Sequence, residues 1–358
     1  MKTKNLPTNF TVYKHMALSN FRKETSERSA GFNRARKQLM RETPFRFESL
    51  EGCNQNRQNR VTHLLERARV DIELKNRATR SAVLRSITAT EGRESLQCKI
   101  NFARRFGLAL SYVLYNNERE RVYLLELPAI DRLNYIRTFK SYRAFAGWIK
   151  EIKGWVSVKS FREAGELPAF DKALRRYGTP WPTNIDCFVC NREYQPLAII
   201  EFQNARKTGV LNHCNNDYFQ CLLPGSDDIR RWTSLEILRV HSGLRLFIIT
   251  WAQNEDIFVL KELEQVAIPF DGEGGISPAY RRALRHYVQN NRPPELEAGI
   301  AERYHSYSLY RQKNRIRRRV HTPPLDSGRK TFPALYYRFK KTARGRELSR
   351  FFMDALNG

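Results

Sequence analysis

Apolar residues recur every three or four positions from Val61 through Leu64, Leu65, Ala68 and Ile72 to Leu74, with charged residues between them. That stripe predicts a helix over residues 58–86. The same spacing at Ile130, Leu133, Ile136, Phe139, Tyr142, Phe145, Trp148 and Ile149 predicts a second helix over 129–152. Between them, LALSYVLYN, NERER and VYLLEL read as a hairpin with a charged turn.

From residue 160 the punctuation sharpens. Pro168 opens a helix (PAFDKALRRYG) that Gly178 closes, and Pro180 and Pro182 prevent its continuation. IDCFV, NREYQ and LAIIEFQ follow as strand, turn and strand. DDIRRWTSLEILRVH is then a helix capped by Asp227 or Asp228, and RLFIITWA and DIFVLKEL are two further strands. The order α–β–β–α–β–β predicts an α/β (α+β) protein whose mixed central sheet is flanked by helices. No internal repeat or low-complexity tract stands out.

Charge changes the picture. The 358 residues hold 63 Lys and Arg against 37 Asp and Glu, a formal net charge of +26, which makes a polyanion the natural partner. The excess is +11 over residues 1–90, +6 over 91–159, −1 over 160–290 and +10 over 291–358. A neutral middle between basic flanks fits a catalytic core gripped to nucleic acid by its extensions. Residues 1–45 read as an arm that orders on binding. The expected division is a basic N-terminal arm and helices over 1–90, a small α/β domain over 91–158, a catalytic core over 159–290 and a basic C-terminal nucleic-acid-binding extension over 291–358. In that extension RQKNRIRRR supplies Arg315, Arg317, Arg318 and Arg319, and LYYRFKKTARGR interleaves aromatics with cations for phosphate contact and base stacking.

The longest nearly apolar run, FGLALSYVLY, is about half of what a bilayer span needs, and no apolar signal core opens the sequence. A soluble, intracellular protein is expected, cytoplasmic if bacterial or viral and nuclear if eukaryotic. Six cysteines are too few for a disulfide framework. Cys187 and Cys190 form C-x-x-C, with His213, Cys214 and Cys221 downstream; three positions apart on a strand they point to opposite faces, which favours buried thiols over zinc.

The chemistry concentrates in two carboxylates. If the central hairpin folds about Glu193 and Tyr194, residues whose numbers total 387 face each other, which sets Asp186 opposite Glu201. Opposed Cβ atoms lie about 4.5–5.5 Å apart, and Gln203 emerges on the same face two residues on. Like charges so placed in apolar strands need neutralising. A hard divalent cation would do it, as would an arginine such as Arg175, Arg206 or Arg231; a register slip of one would instead turn one acid to the opposite face.

The run PAFDKALRRYGTPWPTNIDCFVCNREYQPLAIIEFQNARK resembles the active-site core of the PD-(D/E)xK nuclease superfamily, and the likeness extends over about residues 160–265. It implies a restriction-endonuclease-like fold and a metal-dependent DNA endonuclease. Asp186, Glu201 and the main-chain carbonyl of Phe202 would bind Mg2+ or Mn2+, and Gln203 stands where the family usually has lysine. Asp171, or Glu166 or Glu163, would be the acid of the preceding helix, and Lys207 or Arg206 the displaced cation. DNA is the expected partner ahead of RNA, with a homodimer or larger nucleoprotein assembly left open. The rivals are an inactive nuclease-fold binding protein and a protein that packages nucleic acid by charge.

Overall fold

The computed structural model describes residues 21–23, 33–56, 60–70, 77–153, 167–206, 209–213, 228–266 and 335–357. Ten strands form one mixed sheet: β1 (Arg46–Gln55), β2 (Val61–Arg69), β3 (Leu110–Asn116), β4 (Arg121–Ala129), β5 (Arg132–Phe139), β6 (Thr183–Cys190), β7 (Pro196–Asn204), β8 (Arg245–Trp251), β9 (Ile257–Val266) and β10 (Leu335–Arg344). Their order is β10-β9-β8-β7-β6-β1-β2-β3-β4-β5, antiparallel except for the β2–β3 and β7–β8 pairs. Seven helices occur among the described residues: α1 (Arg34–Glu42), α2 (Arg77–Glu91), α3 (Arg93–Arg104), α4 (Tyr142–Lys153), α5 (Ala169–Arg176), α6 (Asp228–Ser242) and α7 (Glu347–Asn357).

The sheet is buried on both faces. Over one face α2, α3 and α6 bring Val83, Ile87, Ile100, Phe102, Leu235 and Leu238 against Leu50, Leu64, Leu110, Phe188, Ile199 and Ile248. On the other, α1 and α7 seat Leu39 and Phe352 against Cys187, Ile200 and Phe247, while α4 and α5 seat Phe145 and Phe170 against Val113 and Tyr115.

The chain builds this sheet twice. α1-β1-β2, the helices α2 and α3, then β3-β4-β5-α4 is followed by α5-β6-β7, the helix α6, then β8-β9-β10-α7, with the same parallel and antiparallel pairings in each half. β2 and β7 cover spans of equal length 135 positions apart, as do β3 and β8. The halves join through the antiparallel β1–β6 pair, Arg46 facing Cys190 and Leu50 facing Ile185, so a pseudo-two-fold axis passes between those strands. The first helix of each half crosses over: α1 packs beside α7 on the second half and α5 beside α4 on the first. Phe170 of α5 stacks on Tyr115 of β3, centroids 4.3 Å apart. Burying such a ring contributes about 1.5–3 kcal/mol, so the crossed helices bind the halves together.

Several expectations are corrected. The duplication, unseen in the sequence, lies in spacing and topology rather than in residue identity. The region read as helix from 58 holds β2, and a helix begins only at Arg77. β2 sits between two strands with both faces covered, so its apolar residues need not alternate, and Val61, Leu64, Leu65 and Ala68 mimic a helical stripe. The helix read over 129–152 is β5 followed by α4, whose buried face is Tyr142, Phe145, Ala146 and Ile149. Within the supposed arm, Asn33 caps α1 by accepting from the Arg36 N–H at 3.0 Å, and Ala35 and Leu39 are buried. The basic-aromatic LYYRFKKTARGR is β10, laddered to β9 from Leu335–Val266 to Arg344–Ile257, with Tyr337 buried rather than offered to bases. The strands assigned to separate segments at 91–158 and 159–290 share one sheet with β1 and β2. The β3–β4 hairpin, α5, β6, β7, α6, β8 and β9 follow the sequence pattern.

Candidate functional site

The β6–β7 hairpin positions the site. Its turn bends at Tyr194, whose φ is +62°, and Asn191 ties it by accepting from the Gln195 N–H at 2.8 Å. Cys187 faces Ile200, Phe188 faces Ile199 and Val189 faces Ala198, all pairs whose numbers total 387; the ladder ends there, and Asp186 and Glu201, the next residues outward, are drawn together by a shared Arg231. A bulge at Cys190 absorbs the irregularity beside the turn, and from Val189–Ala198 to Cys187–Ile200 the hairpin keeps the register whose numbers total 387.

Glu201 is 3% exposed, and burial first, then the neighbouring Asp186, drives its carboxyl well above the usual carboxylate range. Arg231 of α6 opposes this. Its guanidinium donates to Asp186 Oδ2 at 2.9 Å and forms an ion pair with Glu201 Oε1, so one half-exposed cation bridges both acids. Asp186 also accepts from Asn184 Nδ2 at 3.0 Å and from the Phe202 N–H at 3.4 Å, which sets the Phe202 peptide against the pair.

Gln203 is buried, and its Oε1 accepts from Thr250 Oγ1 and from Lys261 Nζ, both at 3.4 Å. Lys261, on β9, is fully buried and lies over the Tyr337 ring at 5.4 Å. Its charge, after burial, helps lower the His213 ring to about 4. Sequence reasoning missed Lys261. The available signal was a lone lysine among core-facing positions of IFVLKEL, since a buried ammonium needs a local reason.

Other expected residues lie elsewhere. Asp171 does not join the acid pair; buried on α5, it makes a two-pronged contact with Arg67 of β2 at 2.6 and 3.1 Å, because α5 packs on the first half. Arg206 is exposed just beyond β7, where its N–H donates to Asn204 Oδ1. Lys207, Glu163, Glu166, Cys214, Cys221 and Arg315, Arg317, Arg318 and Arg319 fall outside the described residues. Cys187 and Cys190 are buried free thiols in cores on opposite faces, and burial pushes the Cys187 thiol up to about 12.

A second acid pair stands at the matching place in the first half. The ladder there ends at Gly52–Leu65, and the next residues outward, Glu51 and Glu66, share Lys23; each stands 135 positions before Asp186 and Glu201 (186 − 51 = 201 − 66). Here the cations are two lysines and an arginine. Lys99 of α3 contacts Glu66 at 2.8 Å and Glu91 at 2.7 Å; Lys23 contacts Glu91 at 2.6 Å, Glu51 at 3.2 Å and Glu66. Arg67 Nε donates to Glu51 at 2.7 Å. Burial, then Glu66, pushes the Glu51 carboxyl up to about 7; burial would also raise Glu91, but Lys99 and Lys23 pull it down to about 2. Burial opposes the charge on Lys99, yet Glu66 and Glu91 overcome it and hold the ammonium charged.

Among the described residues no group of three or more His, Cys, Asp and Glu side chains is arranged around a metal position, and no helix is long and apolar enough to cross a membrane. Comparison of the chain with protein-family models, curated proteins and solved structures finds no match.

Proposed function

We propose that this chain is a divalent-metal-dependent nuclease that hydrolyses phosphodiester bonds of DNA on a restriction-endonuclease-like frame. The observation that carries this reading is Asp186 and Glu201 brought together at the end of the β6–β7 ladder under Arg231, with the Lys261 ammonium against Gln203 two residues on. The donor set fits Mg2+ or Mn2+: two carboxylates so close that both ionise only beside a cation, a role Arg231 fills. Asp186 and Glu201 would hold the metal, with the adjacent Phe202 carbonyl as a third oxygen. Bound there, it would polarise the scissile phosphate and acidify the attacking water.

The chain's own residues supply the rest. Gln203 Oε1 is engaged by Lys261 and Thr250, which leaves its amide N–H groups to donate to a phosphate oxygen or a water. Lys261 brings the positive charge that Gln203 lacks to where phosphate charge develops. Arg231, on the open side of the pair, is placed to exchange carboxylates for a phosphate. The +26 net charge supplies the general attraction for a polyanion.

Labelled duplex DNA, single-stranded DNA and RNA, each incubated with Mg2+, Mn2+ or EDTA, test the reading. Cleavage of DNA with either metal, lost in EDTA and in Asp186→Asn, is expected; intact substrate under every condition refutes it. The same arrangement favours one rival, a binding protein that does not cut, because Arg231 already satisfies both acids. Salt-sensitive binding without cleavage would establish that alternative.

A further inference from the structure

The halves repeat a topology but not a site. In the second half Glu201 lies beside Ile248 of β8, and Ile248 faces Lys261 of β9. In the first half the same path runs from Glu66 to Tyr112 of β3 and on to Leu125 of β4. Ala68 stands two residues after Glu66, where Gln203 follows Glu201. The first pair therefore lacks both the amide and the ammonium that serve the second. Its neutralising cations also differ in kind: Lys99 is buried and Lys23 mostly so, each spanning two or three carboxylates, whereas Arg231 is 42% exposed. Lys99 is enclosed between its acids, whereas Arg231 reaches solvent; because Glu201 is itself buried, Arg231 can give way only to another cation that neutralises it.

The two strands of a duplex are themselves related by two-fold axes, and a two-fold protein presents one half to each strand. We propose that the protein is a fused pair of nuclease units of which only the second half cuts, so that it nicks one strand of a DNA duplex instead of breaking both. This rests on the nuclease reading of Asp186 and Glu201. In each event one P–O bond is broken by water, leaving a phosphate on one side of the nick and a hydroxyl on the other, and the opposite strand stays whole.

Supercoiled plasmid incubated with the full chain and Mn2+ should accumulate as open circles, with linear DNA appearing only after further nicks. Bound manganese counted by electron paramagnetic resonance should reach one per chain. Both results should vanish in Asp186→Asn and persist in the double variant Glu66→Gln/Lys99→Met, which removes one charge of each sign. Glu51→Gln, which leaves both lysines seated, makes the same comparison if the double variant does not fold. Linear DNA formed from the outset, two manganese ions per chain, or loss of nicking in a folded first-half variant would overturn the proposal and leave the nuclease reading standing. A wild-type protein that neither nicks nor binds manganese removes both.

Discussion

The two acid pairs occupy corresponding places in one sheet and are neutralised in opposite ways. Glu51 and Glu66 are locked by cations that belong to the fold: Lys23, Lys99 from α3 and the buried Arg67 of β2. Asp186 and Glu201 share one arginine, the half-exposed Arg231 of α6. A buried carboxylate pair must be neutralised by a proton or a cation, and where a cation does it, the source of that charge decides what the pair can do. Permanent, desolvated cations make it structural, whereas a cation that can leave makes it a place where another can bind.

The largest expected effect breaks the comparison at the second pair. On the proposed nuclease reading, Glu201→Gln or Asp186→Asn should lower cleavage by about 10³-fold or more, because each would remove a metal ligand worth several kcal/mol of transition-state stabilisation. The fold should persist, since Arg231 keeps one acid partner. Gel-resolved cleavage rates beside a thermal melt separate the two effects.

Next comes the first pair. Lys99→Met leaves Glu66 and Glu91 short of a buried cation and should cost about 3–5 kcal/mol in chemical denaturation. The double variant Glu66→Gln/Lys99→Met should recover part of that loss, because Glu66 goes with its cation while Glu91 keeps Lys23. Equal losses in the single and double variants would show that Lys99 acts by packing alone.

Lys261→Met sharpens the role assigned to Gln203. Methionine keeps most of the buried volume, so stability should hold while kcat falls by about 10²-fold with little change in KM. An unchanged kcat would remove Lys261 from the chemistry.

The smallest effect is a pH dependence. The Glu51 carboxyl titrates near 7 in the folded protein and near 4.5 when unfolded, so between those values the folded state holds a proton that the unfolded chain has released. Stability contributed by that group is present below about pH 4.5 and is lost as pH rises towards 7. Glu51→Gln should therefore be more stable than wild type at pH 8 by about 1–3 kcal/mol, and level with it near pH 4.5. Denaturant titrations at the two pH values measure this; a difference of the same size at both would place the effect elsewhere.

The second half was legible because its signals are local. Pro168 and Gly178 bracket α5, NREYQ marks a tight turn, and an apolar hairpin with one acid per strand fixes which residues must face each other. The first half hid itself for physical reasons. β1 carries Glu48 and Glu51 within RFESLEGCNQ and reads as polar until their distant partners are known: Ser95 donates to Glu48, and Arg67 and Lys23 neutralise Glu51. β2 imitates a helix because it is covered on both faces. Lys261 reaches Gln203 across 58 positions of chain, through a parallel crossover that no local pattern encodes. The duplication escaped notice because the halves keep the lengths between elements while the residues that neutralise each acid pair differ.

Thermal denaturation with and without Mn2+ tests the contrast between the two pairs most directly, since an ion that binds only the folded state raises its melting temperature. Wild-type protein and the Glu66→Gln/Lys99→Met variant should show the same upward shift with manganese, and Glu201→Gln should show none. A shift that survives Glu201→Gln, or that disappears in the first-half variant, would contradict the assignment of Asp186 and Glu201 as the exchangeable site.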